Sequence, residues 1–121
     1  MAYFDFLEIY AYNISIMTEE IQKIKEIVVP IFQEVGFTYA GIFGSVARGE
    51  ATAESDVDLL YDYPKNLKFS LLDLAGLKIK LEDSLGIKVD LAHRGNLKPR
   101  VVSYVRNDLI VLYENWFMIM M

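Results

Sequence analysis

The run Ser55-Asp56-Val57-Asp58-Leu59-Leu60 alternates carboxylates with aliphatic residues before turning fully apolar. In an extended strand, side chains two apart share a face. Asp56 and Asp58 therefore project side by side, while Val57 and Leu59 project the other way. Two carboxylates so close repel, and each raises the proton affinity of the other unless a cation lies between them. The strand thus calls for an apolar core on one side and a wet edge or a divalent cation on the other.

The segments around this strand follow a regular alternation. Thr18 can cap a helix whose first turn carries Glu19 and Glu20, and Gly36 can close it. Ile21, Ile24, Val28, Ile31 and Val35 keep helical spacing on one face. Pro30 removes a backbone donor and predicts a kink. A strand is expected at 39–43, a short helix or turn at 45–48, a polar loop at 49–55 and a strand at 57–61. Ser70 and Asp73 have the spacing of a capping box, and Leu74, Leu77, Leu81 and Leu85 form the stripe of a helix ended by Gly86. A third strand follows at 87–92, a helix from Pro99 to about Arg106 and a fourth strand at 109–113. With four strands and this order, a two-layer packing of helices on a sheet is expected. The aromatic-rich residues 1–16 precede a second methionine, Met17, and read as an extension. Residues 17–121 read as a single domain with an apolar tail from Trp116 to Met121.

Composition narrows the chemistry. A chain of 121 residues with 54% hydrophobic residues has the material for one core, not for a disordered linker. Its net charge of −5 gives no global field for nucleic acid. The loose basic group His93, Arg94, Lys98 and Arg100 reads as a solvated loop and helix start rather than a phosphate track. There is no cysteine and only one histidine, so thiolate chemistry and multi-histidine metal sites are excluded. Any metal must be held by carboxylates, which favours Mg²⁺ or Mn²⁺. No targeting signal and no membrane-length apolar run is read, and the expected location is the cytoplasm.

Two further features complement the carboxylate pair. Asp90 stands in Lys88-Val89-Asp90-Leu91-Ala92, flanked by apolar residues, and can join Asp56 and Asp58 if the two strands are neighbours. Gly44 and Ser45 end an apolar run just before a helix start, where free backbone N–H groups and a hydroxyl bind phosphate oxygens. Arg48, one turn on, can add a charge-assisted contact. Each feature alone is commonplace, but a Gly-Ser pair, ten residues, Asp-x-Asp and a later apolar-Asp-apolar strand form a specific combination.

The segment Ile42-Phe43-Gly44-Ser45 through Asp56-Val57-Asp58-Leu59-Leu60 resembles the signature of the DNA polymerase β-type nucleotidyltransferase superfamily. It is most similar to the minimal nucleotidyltransferases, stand-alone domains found as antitoxins beside HEPN-domain toxins. The resemblance spans about residues 18–114. It implies an α+β fold with a mainly four-stranded mixed sheet and helices packed on one face. It further implies that Asp56, Asp58 and Asp90 hold two Mg²⁺ ions and that Gly44 and Ser45 cradle ATP. The implied reaction moves AMP from ATP to a hydroxyl of the partner toxin, a tyrosine in some members, within a hetero-oligomer or homodimer. Two rival readings are an antitoxin acting by occlusion, and nucleotidyl transfer to a small molecule with a separate helical subunit.

Overall fold

The computed structural model describes residues 18–115. Helix α1 (Glu19–Glu34) leads to strand β1 (Tyr39–Phe43), the short helix α2 (Gly44–Arg48) and strand β2 (Val57–Asp62). Helix α3 (Leu71–Leu85), strand β3 (Val89–His93), a 3₁₀ turn (Arg94–Asn96), helix α4 (Pro99–Asp108) and strand β4 (Ile110–Glu114) complete it. The strands lie in the order β3-β2-β1-β4. β1 pairs antiparallel with β2 and β4, and β2 pairs parallel with β3. The parallel pair needs a crossover, which α3 supplies. The fold is α+β with a mixed four-stranded sheet, as expected.

Local chemistry sets the helix limits. The Thr18 hydroxyl accepts from the Ile21 N–H at 3.2 Å, and Glu19 and Glu20 meet the positive end of α1. The helix runs on through Pro30, where a kink was expected. Pro30 and Glu26, whose carbonyl loses its partner, are both exposed, so water can satisfy that carbonyl. The capping box forms in full, with Asp73 N–H donating to the Ser70 hydroxyl at 3.1 Å and Ser70 N–H to the Asp73 carboxylate at 2.9 Å. That contact holds the Asp73 carboxyl below its usual range. Gly86 closes α3 in the left-handed conformation at φ +71°.

The two faces of the sheet are covered differently. α1 and α3 lay Ile21, Ile24, Val28, Phe32, Leu77 and Leu81 over Ile42, Val57, Leu59 and Val89. The expectation of helices on one face holds for these two. α4 departs from it: Val105 packs with Tyr39, Phe43 and Leu60 on the opposite face, where Val101 and Leu97 add partial cover. This second cluster covers only part of its face and leaves a groove beside it. The expected extension 1–16 and the apolar tail 116–121 lie outside the described residues.

Candidate active site

Strand pairing assembles the carboxylates. In the parallel β2–β3 register, Asp58 stands opposite Asp90. In the antiparallel β1–β2 register, Asp58 faces Phe43, the last residue before Gly44. Asp58 shares its face with Leu60, so it opens onto the side that α4 covers only partly. Asp56 comes immediately before β2, at the mouth of the same strand. Asp90 is exposed, whereas Asp58 is half-buried.

The Asp58 carboxyl is pushed up to about 6 from an ordinary 3.8. Burial is the largest cause, the negative charges of Asp90 and Asp56 add to it, and the positive charge of Arg48 opposes it. Burial and two like charges thus outweigh Arg48 in disfavouring the ionised form of Asp58. Among the described residues, no three acidic or histidine side chains converge closely enough to enclose an ion as they stand. Drawing three carboxylates together without a counter-charge is costly. The donor set itself is all oxygen and fits a hard divalent cation rather than zinc or copper.

Gly44 has two reasons to be glycine. Its φ of +76° lies in the left-handed region. In addition, a Cβ built on it would collide with the Asp58 carboxylate. The turn therefore brings bare backbone against the acid, and Ser45 follows it in the first turn of α2. At the other end of α2, Arg48 donates to Glu50 at 3.0 Å and to Asp108 at 2.6 Å. Its guanidinium thus joins α2 to the end of α4, and its charge still reaches Asp58.

Residues 21–112 match the nucleotidyltransferase domain family. The chain belongs to that family. Protein adenylyltransferase MntA of Thermococcus cleftensis is 34% identical over 96 residues, covering 79% of this chain and 88% of that protein. A Methanocaldococcus jannaschii protein, named as a candidate protein adenylyltransferase, is 37% identical over 90 residues, 74% of this chain and 95% of its own. Among solved structures, one described as a minimal nucleotidyltransferase is 38% identical with a TM-score of 0.63, over 76% of this chain and 92% of that one. A complex of a tri-AMPylated Shewanella oneidensis HEPN toxin with its MNT antitoxin matches with a TM-score of 0.61 at 16% identity, over 78% of this chain and 72% of that one. That last likeness is one of fold.

The basic group that sequence reading placed in a solvated loop divides in two in this nucleotidyltransferase. His93 and Arg94 are tied to the far end of the sheet. Asp62 takes the His93 ring at 3.1 Å and Arg94 Nε at 3.0 Å, and Arg94 also stands 3.9 Å above the Tyr39 ring. The His93 ring stacks on Tyr63 at 4.8 Å and on Tyr61 at 5.1 Å. Lys98 and Arg100 line the groove of about 390 Å³ that Asp58 and Asp90 also line, and His93 borders it as well while keeping its contact with Asp62. Sequence spacing gave no signal for that split, because it depends on α4 crossing to the second face. Among the described residues, no helix is long and apolar enough to cross a membrane.

Proposed function

We propose that this nucleotidyltransferase is an antitoxin that transfers AMP from ATP to a tyrosine hydroxyl of a HEPN-domain toxin, acting in the cytoplasm as a hetero-oligomer with that partner. The observation that carries this reading is the pairing of Asp58 with Asp90, with the Gly44 backbone against the Asp58 carboxylate. The relatives named protein adenylyltransferase support the reaction type, and the fold shared with toxin–antitoxin complexes supports the partner.

Each residue has a task. Gly44 and Ser45 bind phosphate oxygens through backbone N–H and hydroxyl, and Arg48 contributes positive charge nearby. Asp56, Asp58 and Asp90 would hold two Mg²⁺ ions, which supply charge neutralisation for the triphosphate and polarisation of the acceptor hydroxyl. The acceptor oxygen attacks the α-phosphorus, and the bond from that phosphorus to the α,β-bridging oxygen breaks. Pyrophosphate leaves with the bond's electron pair. Asp90, exposed beside Asp58, would help activate the hydroxyl, either as a metal ligand or as the base that takes its proton.

The test is incubation with α-labelled ATP, Mg²⁺ and the product of the neighbouring gene. Label on the partner protein is the expected result. A stable complex without label would instead mean occlusion, and label only on an added small molecule would redirect the acceptor. With Asp56→Ala and Asp58→Ala combined, transfer should fall by about 10³-fold or more, as for loss of metal-borne charge stabilisation. Circular dichroism of that variant should remain folded, because the change removes repulsion rather than packing.

A further inference from the structure

Two cavities flank the carboxylates, and their linings carry opposite charge. The larger, about 670 Å³, is bordered by Glu20, Glu54 and Asp56 with Lys88 as its single cation. The smaller, about 390 Å³, lies by the start of α4 and is bordered by Asp58, Asp90, Lys98 and Arg100, with His93, engaged by Asp62, also in its lining. Both cations are exposed, and among the described residues neither side chain is in an ion pair or a hydrogen bond. They differ in this from Arg48 and Arg94, whose charges are already matched by Asp108, Glu50, Asp62 and Glu114. The segment carrying them is held in place from below. Arg94, four residues before Lys98, is locked to Asp62, and Val105 anchors α4 on the sheet.

A polyphosphate carries several negative charges and must lie beside Asp58 and Asp90 to react there. The larger cavity would meet it with an excess of carboxylates. The smaller one offers two uncommitted cations at the same carboxylates. We propose that Lys98 and Arg100 bind the polyphosphate of the nucleoside triphosphate in the groove by the start of α4, rather than in the larger cavity beside the 51–56 loop. The inference rests on the nucleotidyl-transfer reading of Asp58 and Asp90, and adds the residues that hold the substrate's charge.

Binding separates it from that reading. Calorimetry on the full-length chain with Mg²⁺ would compare ATP and inorganic pyrophosphate on the wild type and on Lys98→Gln, Arg100→Gln and their combination. In the double variant, affinity for both ligands should fall about 10- to 100-fold, as expected when charge-assisted hydrogen bonds are lost. The charge-keeping pair Lys98→Arg and Arg100→Lys should recover much of it, and Lys88→Gln in the larger cavity should leave it unchanged. ATP and pyrophosphate affinities within about twofold of wild type, on the scale where one charged contact is worth tenfold, would overturn the assignment. So would a loss caused by Lys88→Gln, or a rise in the acceptor's KM with nucleotide affinity intact. If the wild type binds both ligands through these cations yet labels no protein, the acceptor reading fails and this one stands. If the double variant binds as the wild type does and transfer persists, this inference fails and the function stands.

Discussion

The sheet has a dry face and a wet face, and the same strands build both. Under α1 and α3, Ile42, Val57, Leu59 and Val89 are sealed from solvent. One residue along in β2 and β3, Asp58 and Asp90 face the groove beside α4. The first set carries the packing, and the second carries the chemistry on the proposed function, separated by the thickness of a strand. Substitutions on the two faces should therefore fail in different assays.

The largest stability effect belongs to the dry face. Leu59 is fully buried, and Leu59→Ala should cost about 2–5 kcal/mol in denaturant unfolding. Transfer per folded molecule should be nearly unchanged. A large loss of specific activity with little loss of stability would break the division between the faces.

Gly44→Ala probes the seam between them. Left-handed backbone at a non-glycine residue costs on the order of 1–3 kcal/mol, and the new Cβ also meets the Asp58 carboxylate. Nucleotide affinity should fall with stability. Adding Asp58→Ala should return part of the stability by removing the collision, a coupling that a double-mutant cycle measures. Strict additivity would show that only the backbone angle matters.

The smallest effect reads the wet face through pH. Asp58 has a folded-state value of about 6 against an ordinary 3.8, so the folded state binds its proton more tightly. Between these values the unfolded chain holds fewer protons, and stability falls as pH rises. In metal-free protein, Asp58→Asn should thus be more stable than wild type above about pH 6, the advantage vanishing below pH 3.8. Discounted for solvent screening, the difference is about 1–2 kcal/mol. Mg²⁺ should raise the melting temperature of the wild type more than that of the variant. An advantage independent of pH would contradict the cause assigned to the shift.

What was legible in the sequence follows from range. Caps, glycine stops and apolar periodicity are local, so α1, α3, β1 and β2 were readable to within a residue or two. The alternation in β2 announced which residues share a face, and Asp90 beside Asp58 needed only that β3 be the neighbour. The rest depends on distant crossings. That α4 lies on the second face, that Lys98 and Arg100 reach the groove, and that Arg48 is engaged by Asp108 sixty residues away are all set by tertiary placement. Pro30 led to the expectation of a kink in α1, and the helix continues through it with its buried face packed on the sheet.

On the proposed role of Asp58 and Asp90, the parallel register of β2 and β3 also makes catalysis an error check on folding. A slip of β3 by one residue would turn Asp90 into the packed layer and bring Val89 or Leu91 out beside Asp58. Such a chain could still be compact, but its acid pair would be lost. On that reading competence arrives only with correct pairing between segments joined through the whole of α3, and a misregistered molecule disqualifies itself before it can act.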